Sequence, residues 1–285
     1  MTVPEVKMLQ NVQLQIMDEI HRICVECGLR YYLIGGSAIG AKRHQGIIPW
    51  DLDIDIAMPR DDYEQLTVEF PRLCSSKYSL HCLKTDRHFD CPHILVVLND
   101  SSIVFSDSNI NKRYGIFVDV LPLDQCPNEE ASRTAQANEL KRINKIIQKQ
   151  KIVVFQENGL FKRMAKKSLR SLYNIIIPRD YLNKWQQSVM MRYDKRQDCT
   201  HWCSMASHYD YNRLCMPKEF FGTPVLMDFS GRQYYVPERI DDYLERLFGD
   251  YSIIPSIEKQ QAQMNSVKYA EWKEDDGRVC YVGGE

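Results

Sequence analysis

Three aspartates alternate in the stretch "WDLDIDIAM": Asp51, Asp53 and Asp55, with Leu52, Ile54 and Ile56 between them. In an extended chain, residues i, i+2 and i+4 face one side, about 6–7 Å apart per step. The spacing predicts a strand with a carboxylate face and an aliphatic face, the latter packed on a core. Adjacent carboxylates repel one another, and Asp is a poor strand former. A polar surface strand would suit one or two aspartates rather than three. A divalent cation resolves the repulsion, because Mg²⁺ prefers oxygen ligands and takes one or two carboxylates together with substrate phosphates.

Upstream, "LIGGSAIG" places Gly35, Gly36 and Ser37 between a strand and a helix start. Glycines let backbone N–H groups approach a phosphate, and a helix N-terminus favours negative charge. A phosphate cradle beside metal-binding carboxylates is what phosphoryl transfer requires. Downstream, "YGIFVDVLPLD" carries Asp119 inside an apolar strand. If that strand neighbours the aspartate row, Asp119 becomes a third ligand, and two metals about 3.5–4 Å apart would share Asp53 and Asp55. Asp124 competes for this role, but it follows Pro122 and reads as a turn residue.

These residues need a scaffold. Residues 4–27 read as an amphipathic helix, with Leu9, Val12, Ile16, Ile20 and Ile23 at spacings of three and four, Pro4 in the first turn and Gly28 past the end. A strand over 31–34 follows, then a short helix in "AIGAKRH". Pro59 is expected to end the aspartate strand, and Asp61 to cap the next helix. An apolar strand is expected over 93–98, a more polar one over 103–105 and another apolar one over 116–120, the last ended by Pro122. From about residue 128 the pattern turns helical and charged. This predicts an α/β (α+β) chain with a core over 1–127 built around a small mixed sheet and a mainly helical region over 128–285, packed on that core.

Within the second region, 160–184 is basic and near helical spacing. It reads either as a core helix with a solvated basic face or as an amphipathic helix making peripheral contact with an anionic membrane. Cys199, His201, Cys203, His208 and Cys215 could supply zinc ligands, but no CxxC pair is present and the surroundings read as core.

The run "YYLIGGSAIGAKRHQGIIPWDLDIDIAMPRDDYEQL" resembles the signature of the LicD family, nucleotidyltransferase-fold phosphotransferases related to fukutin and fukutin-related protein. Gly35, Gly36, Ser37, His44, Gly46, Pro49, Trp50, Asp51, Asp53, Asp55, Pro59 and Arg60 fit its first block. "YGIFVDVLPLD" is similar to the second block, with Asp119 at the acidic position, and "IDDYLERLFGDY" to the C-terminal block. Leu52 replaces a family aspartate on the opposite face of the row. The histidine-rich segment that often follows the C-terminal block is missing.

The resemblance implies Mg²⁺ or Mn²⁺ on Asp53, Asp55 and Asp119, with Asp119 as ligand or base. Gly35, Gly36, Ser37, Lys42, Arg43, Trp50 and Asp51 would contact substrate. The implied reaction moves a phospho-alcohol group, phosphocholine- or phosphoribitol-like, from a CDP-linked donor to a hydroxyl of a cell-surface or capsular glycan, lipid-linked or free, and releases CMP. The alternatives are a nucleotidyltransferase releasing pyrophosphate, or an inactive binding protein that keeps the fold.

The bulk numbers agree with a soluble enzyme. The 285 residues, 44% of them hydrophobic, can bury a sizeable core. A formal net charge of −1 gives no global attraction to nucleic acid. The polar, mixed N-terminus lacks a signal-peptide pattern, so the expected location is cytoplasmic, with any membrane contact peripheral. In that compartment the 10 cysteines are expected as thiols.

Overall fold

The computed structural model describes residues 1–86, 89, 91–106, 115–151 and 177–284. Helix α1 (Val3–Cys27) opens the chain. Glu5 caps it by accepting from the Thr2 N–H at 2.6 Å, and Val6, Leu9, Ile16, Ile20 and Ile23 are fully buried along one stripe. Then come β1 (Tyr32–Leu33), α2 (Gly35–Ile39), which continues as a π-helical turn to His44, β2 (Asp55–Pro59) and α3 (Arg60–Leu73). Four strands follow: β3 (Tyr78–His81), β4 (Ile94–Leu98), β5 (Ser101–Phe105) and β6 (Phe117–Cys126).

The fold is α+β, a small mixed sheet flanked by helices. Its strand order is β1-β2-β6-β4-β3, and only β2 and β6 run parallel. β6 is the spine. Its first half pairs with β4, and its last three residues pair with β7 (His201–Cys203), which pairs in turn with β8 (Cys215–Pro217). Helices α1 and α3 pack on the sheet. The even-numbered residues Ile94, Val96, Val118 and Val120 share the main core with α1, whereas Leu95 and Val97 form a small cluster on the other side.

The region after 128 carries helices α4 (Glu130–Lys151), α5 (Arg179–Met190), α6 (Ile240–Phe248) and α7 (Ile257–Met264). It also supplies the short strands β7 and β8, a hairpin of β9 (Val225–Phe229) and β10 (Arg232–Val236), and strands β11 (Val267–Lys273) and β12 (Val279–Gly283). β11 pairs with β5, and the Gly283 N–H reaches Glu5 at the start of α1, so both ends of the chain share one core. Among the described residues, no helix is long and apolar enough to cross a membrane. Most of the basic 160–184 segment lies outside the described residues.

Three local expectations need correction. Residues 51–54 lie before the strand rather than in it, because β1 is short and begins its pairing with β2 at Leu33 and Ile56. Pro59, not Asp61, stands at the N-terminal boundary of α3, and no side chain caps that end. Pro122 does not end β6. Asp119 directs its N–H to β2, so the even-numbered residues of β6 turn theirs to the other side. There Pro122 falls between the end of β4 pairing at Val120 and the start of β7 pairing at Asp124. A missing donor costs nothing where no partner strand exists.

Candidate active site

The parallel register places Asp55 directly opposite Asp119. Both side chains, with that of Asp53, line a cavity of about 280 Å³ floored by Leu121, Leu123, Met216 and Phe221. The odd-numbered face of β6 thus supplies one acid and two leucines to the cavity. Segments far along the chain close it: residues 204–209 after β7, and Tyr243 and Leu247 of α6. No Lys or Arg is among the described lining residues. The three acids share a cavity with no permanent positive charge.

That imbalance shows in their protonation. Burial pushes Asp55 well above the usual carboxylate range, and the charges of Asp119 and Asp51 add to the effect. Asp53 is pushed the same way, first by burial and then by Asp55, Asp51 and Asp119. Asp53 keeps an exposed face towards the cavity, yet protein crowds its other sides. The shifts mark a site whose charges favour a cation.

The chain before β2 is held from two directions. Gln10 of α1 donates to the Ile48 and Asp51 carbonyls at 3.0 and 2.8 Å, and Gln13 donates to the Leu52 carbonyl at 2.6 Å. The Ser37 hydroxyl accepts the Asp55 N–H at 2.9 Å, and the Ile34 N–H donates to the Asp55 carbonyl. Gly35 has φ +56°, a conformation that favours glycine, and its N–H donates to the Tyr243 hydroxyl at 3.0 Å. At Gly36 a Cβ would stand 2.6 Å from Asp51 Oδ2. The glycine pair therefore lets the turn close onto the acids.

Tyr243→Phe would leave the buried Gly35 N–H without its acceptor. Such an orphan costs about 1–3 kcal/mol. The variant is expected to melt lower by that amount in a denaturant titration, and an unchanged midpoint would show that the contact contributes nothing.

The other residues picked out by sequence fall into three places. Asp51 is buried beside Gly36, and Gln263 of α7 donates to its Oδ1 at 2.5 Å. Trp50 packs edge-on against His44 and is buried. Lys42 pairs with Asp241 at 2.9 Å, and Arg43 donates to the Tyr251 and Ile253 carbonyls. None of these four lines the cavity. Asp124 lies within β6 rather than in a turn, on its even-numbered face, against Arg60.

Cys199, Cys203 and Cys215 are buried, and Cys203 pairs across the strands with Cys215. His201 bonds the Thr200 hydroxyl, and His208 stacks near Tyr209 and lines the cavity. Among the described residues these five form no metal-binding group. The thiols fill core. Sequence reading missed His93, Tyr209 and Tyr243 as cavity residues. Tyr243 alone carried a signal, through its place in the C-terminal block.

Residues 28–125 match the model of the LicD/FKTN/FKRP nucleotidyltransferase domain. The chain is also similar to the lipopolysaccharide cholinephosphotransferase LicD of Haemophilus influenzae, 27% identical over 259 residues, covering 88% of this chain and 93% of that protein. These two matches support the LicD family. Shorter stretches are similar to other proteins. Over 35 residues it is 54% identical to the human ribitol 5-phosphate transferase FKRP, covering 12% of this chain and 7% of that one. Over 62 residues it is 36% identical to an uncharacterized protein of Rickettsia typhi, covering 21% and 20%.

The donor chemistry of this site fits a hard divalent cation. Asp53, Asp55 and Asp119 offer only carboxylate oxygens, and no cationic side chain competes among the described lining residues. Among the described residues, no three His, Cys, Asp or Glu side chains are gathered closely enough to hold an ion. An open half-shell suits Mg²⁺ or Mn²⁺, whose remaining positions go to water and phosphate.

Proposed function

We propose that this protein is a metal-dependent phosphotransferase that moves a phospho-alcohol group from a CDP-linked donor to a hydroxyl of a glycan and releases CMP. The observation that carries the reading is the Asp55–Asp119 pair, joined by Asp53 in one cavity without a permanent positive charge. The similarity to a lipopolysaccharide cholinephosphotransferase over most of both chains supports transfer to a glycan, and the local similarity to a ribitol 5-phosphate transferase supports an alcohol phosphate as the group moved.

Asp53, Asp55 and Asp119 would hold Mg²⁺ or Mn²⁺. When bound, the cation neutralises the donor's diphosphate and lowers the barrier to attack by the acceptor hydroxyl. The chain's own residues do the rest. The Ser37 and Ile34 hydrogen bonds fix the Asp55 backbone, so its carboxylate is preorganised rather than recruited. The leucine and phenylalanine floor keeps water from competing with the acceptor. Tyr209, pushed up to about 12 by burial and then by Asp55, Asp51 and Asp53, stays protonated and can donate to a phosphoryl oxygen. The donor and acceptor are expected to meet in the cytoplasm, where nucleotide-linked alcohols are available.

The test is the identity of the leaving group. The protein is incubated with Mg²⁺, CDP-choline, CDP-ribitol or CDP-glycerol, and a deacylated lipopolysaccharide or teichoic acid acceptor. Release of CMP with phosphorus transferred to the acceptor is expected, and neither product is expected with EDTA. Pyrophosphate released from a nucleoside triphosphate would instead assign a nucleotidyltransferase.

A further inference from the structure

The cavity holds one contact that the acids alone do not explain. His93 stands immediately before β4, whose Leu95 lies opposite Asp119. Its Nε2 is 2.7 Å from Asp119 Oδ1, both side chains are largely buried, and both line the cavity. An ionised carboxylate only accepts, so the proton sits on Nε2. The other ring nitrogen, Nδ1, is buried with no hydrogen-bond partner among the described residues. The contact thus directs the Nε2 edge of the ring at Asp119, with Nδ1 turned into protein.

An imidazole N–H orients a carboxylate through one directed hydrogen bond. An Arg or Lys at the same place would fix Asp119 equally well, but it would supply the positive charge that the cavity leaves for an ion. We propose that His93 is the positioning residue of this site: its Nε2–H holds Asp119 Oδ1, leaving the second oxygen turned to the cation that Asp53 and Asp55 share. The inference rests on the functional reading above. It assigns a role to a residue outside both acidic blocks, brought to Asp119 only by the β4–β6 pairing.

The experiment measures Mn²⁺ binding by titration calorimetry and by the electron paramagnetic resonance of free Mn²⁺, using the full chain. Partners that orient a ligand are worth about 10–100-fold in metal affinity. His93→Phe is expected to weaken Mn²⁺ binding by that factor while melting cooperatively. His93→Gln, whose amide reaches as far as Nε2, is expected to restore binding to within about threefold of wild type. If the Phe variant does not fold, His93→Asn replaces it, since its shorter amide cannot reach Oδ1. Wild-type affinity in the Phe or Asn variant overturns the assignment, as does a Gln variant no better than either. Asp55→Asn is measured beside them. Its loss of binding with His93 variants unaffected overturns only the positioning role, whereas its retention of wild-type binding overturns the functional reading as well.

Discussion

Asp55→Asn is expected to abolish transfer and, in the same protein, to raise the melting temperature without metal. Asp55 is pushed up first by burial and then by Asp119 and Asp51, so its charge opposes folding unless a cation binds. Asn has the same shape and removes the charge. The Lewis-acid contribution lost is several kcal/mol, and each ~1.4 kcal/mol is tenfold in rate, so turnover should fall by at least about 10³-fold. The pH dependence has a definite sign. The unfolded carboxyl ionises near its ordinary value, about 4, while the folded one keeps its proton to higher pH. Metal-free wild type therefore loses stability as pH rises from about 4 through the raised folded value. The Asn variant should show a shallower decline, with Asp53, Asp51 and Asp124 among the acids responsible for what remains, and Mg²⁺ should lift wild type far more than the variant. Calorimetric melts at several pH values, with and without Mg²⁺, read all of this. Turnover like wild type, or a metal-free variant that melts lower, would sink the account.

The acids were legible in the sequence because like charges repeated along one face of an aliphatic segment are costly unless a cation meets them. Their exact support was not. The strand expected over the row begins only at Asp55, since the pairing partner β1 is short, yet Asp53 still reaches the cavity. Periodicity reports which neighbours a residue has along the chain, not across it. His93 therefore looked like the edge of an apolar strand, and Tyr243 like one position in a helical block, until the fold set them against Asp119 and Gly35. Lys42 and Arg43 lie outside the cavity lining. Their charge invited a phosphate, but Asp241 and the carbonyls of residues 251 and 253 take them, and nothing local to "AKRH" specifies those partners. Strands as short as β7 and β8 leave too few residues for a period to show.

Asp124 is the other acid of β6, and removing it is expected to damage the fold rather than the chemistry. Five residues from Asp119, it faces the opposite side of the strand. It is fully buried, 2.6 Å from the guanidinium of Arg60, itself 6% exposed. Burial pushes Asp124 up, to about 7, against the pull of Arg60, while the acids and Tyr63 around Arg60 outweigh its own burial and hold it protonated. The two shifts disagree on how easily the pair ionises. The guanidinium is charged in either case, and a contact this short needs an ionised acceptor. Asp124→Ala would strand that charge beside Glu64, 3.1 Å away, and Asp194 at 3.9 Å. Breaking one partner of a buried pair costs about 3–5 kcal/mol, whereas replacing both by apolar residues of similar volume is often neutral. A melting temperature lower by roughly 10 °C is expected for Asp124→Ala, and Arg60→Met with Asp124→Leu should recover most of it. The loss enters where β6 pairs with β7, beside the Ser204 wall of the cavity. The folded fraction at low temperature should nevertheless keep a kcat within a few-fold of wild type, because Asp124 touches no part of the cavity. Asp119→Asn should do the reverse, sparing the melt and removing turnover, so the two acids of one strand separate into a ligand and a brace.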